Sequence, residues 1–276
     1  MTIADLISDG IKELQRENVP DAEYDGWRIL AFVLHEDFLK LKLQKNTEIK
    51  SEDIVHSFRA LIQKRSQRIP LQYLEGEAWF MGHSFLVTPA VLIPRMDTEI
   101  LCEEAFKHMK PNASVLDIGT GSGAIAITLK NKRPDIIMTA VDISQDALTV
   151  AQKNAKENHV DIEFLLSDCF SAVENRKFDM ILSNPPYISK AEMDDLMPEV
   201  CFEPATALYG GEDGLDFYRK ITSEAGQHLS KGGYLLYEIG WKQREAVGTL
   251  LKEFIGDPFF EQDFNRIWRV AGAAYQ

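Results

Sequence analysis

Asn184-Pro185-Pro186-Tyr187 follows directly on the apolar run Phe178-Asp179-Met180-Ile181-Leu182-Ser183. A buried strand ending there delivers a side-chain amide, two stiff prolines and an aromatic ring to the edge of a sheet. That set suits a planar, weakly nucleophilic nitrogen. An amide lone pair is delocalised into its carbonyl. The nitrogen therefore accepts a methyl group in line from a sulfonium only when it is oriented and its developing positive charge is stabilised. Two acceptors aimed at its two N–H bonds do both at once. The Asn184 side-chain oxygen can be one, and the Pro185 main-chain carbonyl the other. The residue before a proline is driven to extended backbone and the proline φ is fixed, so the acceptors are held still. Tyr187 can pack against the flat face of the target group. No strong general base is needed, because the proton can leave after the methyl group arrives.

A second constellation lies upstream. The run Val115-Leu116-Asp117-Ile118 leads into Gly119-Thr120-Gly121-Ser122-Gly123, and Ala124 opens a helix. Glycines allow a tight turn and let a ligand touch the main chain. The helix start offers free N–H groups and a positive dipole end. The next strand ends in Asp142, 23 residues after the first glycine, where an acid accepts hydrogen bonds from ribose hydroxyls. A third strand ends at Ser167-Asp168-Cys169-Phe170, positioned to flank an adenine ring. A dinucleotide enzyme would carry GxGxxG, and the glycine run here is one residue too short for it.

These groups need a scaffold that brings strand ends together. Residues 1–70 read as a small helical bundle, with Ile3, Leu6, Ile7, Ile11 and Leu14 on one face, Asp21 as a helix N-cap and Ser51 opening a third helix. Leu39-Lys40-Leu41-Lys42-Leu43 alternates like a strand or an exposed connection. Residues 71–94 carry two short aromatic-rich runs around Gly82-His83, which predicts a linking β-hairpin. Residues 95–276 alternate β and α, with strands expected at 114–118, 137–141, 162–166, 178–183, 233–239 and near 266–272. That alternation specifies an α/β fold with a doubly wound, mostly parallel sheet.

The bulk numbers exclude other classes. Hydrophobic residues make up 45% of the 276 and charged ones 26%, as in an ordinary soluble globular protein. The net charge is -13, which argues against nucleic acid as the main substrate, since phosphate contacts dominate such binding. The three cysteines, Cys102, Cys169 and Cys201, support neither a disulfide framework nor zinc, and the six histidines show no metal-ligand spacing, so no metal is expected. The amino terminus reads as no signal peptide and no run is long enough to span a membrane, so a cytoplasmic address is expected.

The glycine run preceded by Asp117 resembles class I S-adenosylmethionine-dependent methyltransferases, and Asn-Pro-Pro-Tyr resembles the amino-methyltransferases of DNA, RNA and protein glutamine. Three further segments narrow this. Ile69-Pro70-Leu71-Gln72-Tyr73-Leu74-Glu75-Gly76, Leu92-Ile93-Pro94-Arg95-Met96-Asp97-Thr98-Glu99 and Phe202-Glu203-Pro204-x-x-Ala207-Leu208 look like the bacterial peptide chain release factor glutamine methyltransferases, over essentially the whole chain. The resemblance implies a seven-stranded methyltransferase sheet whose last strand is antiparallel. It implies transfer of a methyl group from S-adenosylmethionine, leaving S-adenosylhomocysteine, to N5 of the glutamine in the Gly-Gly-Gln motif of class 1 release factors, the expected partner. It maps Gly119 to Gly123, Asp142, Cys169 and Asn184 onto the cofactor site, and Asn184 to Tyr187 onto the glutamine site. Residues 1–70 would then dock the protein substrate. Met96 stands where the family usually has proline. Cys169 stands where an aromatic is common, which moves the expected adenine stacking to Phe170. A sister family that methylates a large-subunit ribosomal protein shares the tetrapeptide, and Asp97-Thr98-Glu99 favours the release factor. On the residues alone, Arg95, Asp97 and Glu99 can equally form a salt-bridged helix start. A nucleic-acid amino-methyltransferase, a non-catalytic module docking on translation factors and a nicotinamide dehydrogenase are the remaining alternatives.

Overall fold

The computed structural model describes all residues, 1–276. It separates into two compact units, one of residues 1–76 with 197–202, the other of residues 77–196 with 203–276. Of the stretch 71–94, the first six residues lie in the first unit and the rest in the second.

The first unit is helical. It holds α1 (Ile3–Arg16), α2 (Ala22–Leu34), α3 (Phe38–Leu43), α4 (Glu52–Ser66) and α5 (Leu71–Glu75). A capping box starts α1, with Thr2 and Asp5 exchanging bonds to each other's main chain. Leu6, Leu14, Ile29, Leu30, Phe58 and Ile62 form the core. Gly10 lets α1 approach α4, since a Cβ there would fall 2.8 Å from the Phe58 ring. Asp25 and Arg65 form a buried pair at 2.7 Å, and Glu199, from the returning segment, takes both Arg65 at 2.9 Å and Arg68 at 2.6 Å. One expectation holds in position only and another is corrected. Asp21 occupies the N-cap of α2 but its side chain makes no capping bond. Leu39–Leu43 is helix, because Asp37 caps the Lys40 N–H at 2.9 Å and only Leu41 of the alternating leucines is buried.

The second unit opens with a hairpin, β1 (Glu77–Phe80) and β2 (His83–Leu86), turning through Met81 and Gly82, both at positive φ. The rest follows as α6 (Met96–His108), β3 (Ser114–Ile118), α7 (Ala124–Lys132), β4 (Ile137–Asp142), α8 (Gln145–Glu157), β5 (Glu163–Leu166), β6 (Phe178–Ser183), the short α9 (Lys190–Met193), α10 (Asp216–Ala225), β7 (Leu229–Glu238), α11 (Arg244–Phe254), β8 (Pro258–Gln262) and β9 (Trp268–Ala274). The sheet has seven strands in the order β5-β4-β3-β6-β7-β9-β8. Only β9 runs against the others, pairing antiparallel with both β7 and β8. The sequence periodicity did not single out β8, whose five residues are all partly exposed.

β3, β4 and β6 are buried almost throughout, as parallel strands covered on both faces must be. Val115, Met138, Met180 and Leu236 face α6 and α7, while Leu116, Ile181, Leu235 and Tyr237 face α10 and α11. Strand order reverses between β3 and β6, so the loops after these two strands flank one crevice, the position where ligands bind such sheets. No helix is long and apolar enough to cross a membrane.

Candidate active site

The crevice beyond the carboxyl ends of the parallel strands is a cleft of about 800 Å³. One wall is the glycine loop after β3. The Gly119 and Thr120 N–H groups both donate to the Val141 carbonyl, at 2.9 and 3.0 Å, which ties the loop to the end of β4. Gly121 has φ +56°, and a Cβ there would meet no protein atom within 4 Å, so the loop turns a bare main chain toward the cleft. Gly123 serves packing instead, since a Cβ would fall 2.9 Å from Ile127 and 3.2 Å from Ala151. Asn154 braces the loop from behind. Its Nδ2 donates to the Ser122 carbonyl at 2.8 Å and to the Leu86 carbonyl at 3.0 Å, and its Oδ1 accepts from the Leu86 N–H at 2.7 Å.

Asp142 closes the end of β4. Its oxygens accept from the Gly121 and Ser144 N–H groups, each at 2.9 Å, and burial raises its carboxyl above the ordinary carboxylate range. Ile143 beside it lines the cleft and is 65% exposed, an apolar surface that the motif search did not single out. Asp168 and Cys169 line the wall after β5, with Asp168 paired to Lys220 at 2.6 Å. Burial pushes the Cys169 thiol up to about 11, so it stays protonated at neutral pH.

Three expected site residues stand elsewhere. Asp117 is fully buried behind the loop; its Oδ2 accepts from the Thr120 hydroxyl at 2.6 Å and its Oδ1 has no partner. Burial pushes this carboxyl to about 7 despite the Thr120 bond. Phe170 does not flank the cleft, because its ring stacks on His228 at 4.3 Å between centroids and is buried in the core below. Tyr187 is not among the cleft walls either. Its ring packs on the core and its hydroxyl donates to Glu238 Oε1 at 3.4 Å. Burial raises the phenol well above its ordinary value, so it remains a donor.

Asn184, Pro185 and Pro186, at the end of the neighbouring strand β6, line the same cleft. The Ser183 hydroxyl donates to the Ile118 carbonyl at 2.8 Å, locking the end of β6 to β3. Behind the tetrapeptide, the Gly210 main chain lies so close that a Cβ would fall 2.6 Å from the Pro186 carbonyl oxygen. Asn184 Nδ2 donates to Thr98 Oγ1 at 3.3 Å, and the Thr98 hydroxyl donates to Glu238 Oε2 at 2.6 Å. Thr98 and Glu238 were missed as site residues. The available signal for Glu238 was an acid at the carboxyl end of a core strand; Thr98 was hidden between two charged neighbours. Arg95 and Asp97 do form ion pairs, though not with one another, while Glu99 bonds main chain instead. Arg95 bonds Glu203, which also accepts from the Ile93 N–H at 3.0 Å; Asp97 pairs with Arg269 at 2.9 Å; Glu99 accepts from the Met81 N–H at 2.7 Å.

Comparison with known proteins bears on the family. Residues 96–208 match the family described as Methyltransferase small domain, and residues 5–76 match PrmC N-terminal domain. A protein of Geobacter sulfurreducens named release factor glutamine methyltransferase is 40% identical over 94% of this chain and 92% of its own. One of the same name from Koribacter versatilis is 38% identical over 92% of each. Among solved structures, a methyltransferase from Pyrococcus furiosus superposes with a TM-score of 0.55 at 18% identity, over 71% of this chain and 90% of that one, a likeness of fold.

Proposed function

The chain belongs to the release factor glutamine methyltransferase family, and from that premise we propose that its cleft holds S-adenosylmethionine on one wall and the substrate glutamine on the other. The protein transfers a methyl group to a release factor glutamine, the one in the Gly-Gly-Gln motif of class 1 factors, at N5 of the side chain. A cytoplasmic site of action follows from that substrate.

The residues present fit the methyl donor. Main-chain N–H groups at the start of α7 and the Asp142 carboxylate suit a ribose and an amino-acid tail, Gly119 and Gly121 leave room above the loop, and Ile143 offers a face to an adenine ring. When bound, S-adenosylmethionine supplies an electrophilic methyl group on a sulfonium. Everything else falls to the chain. Asn184 Oδ1 and the Pro185 carbonyl accept the two N–H bonds of the glutamine amide, turning its lone pair toward the donor and stabilising the positive charge that grows on nitrogen. Pro185 and Pro186 restrict the segment, so little reorganisation accompanies the transfer. Tyr187 anchors the tetrapeptide from below. The amide proton departs to water once the carbon–nitrogen bond has formed.

The observation that carries this reading is Asn184 beside the glycine loop in one cleft, with its amide nitrogen already engaged by Thr98 and its oxygen left for a substrate. The test is transfer of labelled methyl from S-adenosylmethionine to a purified class 1 release factor, the same factor with its motif glutamine replaced by alanine, and duplex DNA with total RNA. Label is expected in the unmodified factor alone. Label in nucleic acid alone would overturn the substrate. In Asn184→Ala the rate should fall by about 100-fold or more, as when one transition-state hydrogen bond is removed. Near-normal turnover would refute the clamp.

A further inference from the structure

We propose that Glu238 is a positioning residue for methyl transfer, fixing through Thr98 which end of the Asn184 amide faces the substrate. The inference rests on the clamp reading above and extends it by two residues to which that reading gives no contact with substrate or donor, Thr98 in the cleft lining and the buried Glu238.

A hydroxyl has one proton to give. With Glu238 ionised, the Thr98 proton is committed to Oε2 at 2.6 Å, so toward Asn184 Nδ2, at 3.3 Å, the Thr98 oxygen can only accept. The Asn184 NH2 group is therefore drawn to Thr98, and its carbonyl oxygen is left for the cleft. In the ionised form the other carboxylate oxygen accepts from the Tyr187 hydroxyl at 3.4 Å, so both oxygens of Glu238 act as acceptors. Protonation reverses the chain. A carboxylic acid can donate to Thr98, the Thr98 proton then turns to Asn184, and the amide that answers it presents NH2 to the cleft. The glutamine N–H bonds would then meet a donor where they need an acceptor.

Glu238 is 2% exposed at the carboxyl end of β7. The groups around it are Asp97 and Cys102 on α6, Arg269 on β9, Tyr187 after β6, and Tyr218 on α10, whose hydroxyl donates to the Glu238 main-chain oxygen at 2.9 Å. Arg269, shared with Asp97 and Asp263 at 2.9 Å each, favours the carboxylate; burial and Asp97 oppose it. Burial prevails and raises the group to about 7, so the two polarities compete near neutral pH.

The experiment measures single-turnover methyl transfer to an unmodified release factor, which isolates the chemical step, from about pH 5.5 to about pH 9. The proteins are wild type, Thr98→Val, Thr98→Ser and Glu238→Gln, with Asn184→Ala testing the clamp itself. The Thr98→Val rate should fall about tenfold or more, the worth of one lost hydrogen bond, with S-adenosylmethionine affinity within about threefold of wild type. Thr98→Ser should recover to within about threefold of wild type, because it keeps the hydroxyl. The wild-type rate should rise with pH through a limb near 7, and Glu238→Gln should lack that limb. A wild-type rate in Thr98→Val, or an unchanged limb in Glu238→Gln, would overturn the relay while leaving the clamp standing. A near-normal rate in Asn184→Ala would instead remove the clamp on which it rests.

Discussion

Asp117 and Glu238 are carboxyl groups that the fold keeps protonated up to about pH 7, chiefly because burial penalises their charge. In an unfolded chain they titrate near 4. Between those values the native state holds more protons than the unfolded one. The stability they contribute is therefore complete below the ordinary carboxylate range and is lost as pH rises through about 7. Asp117→Asn removes one of these titrations and keeps an acceptor for Thr120. Urea midpoints of wild type at about pH 5 and about pH 8 should differ, and in the variant the gap should narrow. An equal gap in both proteins would show that Asp117 is not the group responsible. The unpartnered Oδ1 of Asp117 fits this picture, since a neutral carboxyl is cheaper to leave unsatisfied than a charged one.

At the scale of elements, the glycine loop is shaped by what lies behind it. Asn154 on α8 joins that loop to β2 with three hydrogen bonds, and is 1% exposed. Asn154→Ala would strand the buried Ser122 carbonyl and the partly buried Leu86 N–H and carbonyl, a cost of roughly 1–3 kcal/mol. It should also loosen the loop, so that S-adenosylmethionine binding measured by calorimetry weakens by about fivefold or more. Unaltered stability and affinity would make Asn154 a bystander. Gly123→Ala tests the same packing from inside, because its φ of +82° and the 2.9 Å approach to Ile127 both resist a side chain. A loss of roughly 2 kcal/mol or more is expected, read from the shift in denaturant midpoint.

At the scale of the molecule, the two units carry separate cores, with Leu6, Phe58 and Ile62 in one and both faces of the sheet in the other. Thermal unfolding followed by calorimetry should then depart from a single two-state transition. S-Adenosylmethionine at about 100 times its dissociation constant should add about 2.7 kcal/mol to the unit that holds the cleft and leave the other transition in place. One transition that moves as a whole would mean the units unfold together. The returning segment 197–202 bears on this, since Glu199 completes the ion-pair cluster of Arg65 and Arg68 within the helical unit.

The sequence by itself determined the element types over most of the chain, and where its chemistry-bearing residues fall. Apolar runs with period near two or 3.6, glycines at positive φ and prolines at fixed φ are local constraints, so β3, β4, β6, the glycine loop and Asn184-Pro185-Pro186 were legible one segment at a time. Local pattern failed where it was too short to carry a period, as in Leu39–Leu43, or where no face was wholly buried, as in β8. Only the tertiary structure decided what meets what. Placing β6 beside β3 brings Asn184 to the glycine loop, and packing α6 over β7 joins Thr98 to Glu238 across 140 residues of chain. Packing in the core on the α10 and α11 side of the sheet took Phe170 and Tyr187 out of the cleft walls. Such contacts depend on strand order and on competition for buried space among distant segments, and no spacing within one segment encodes them.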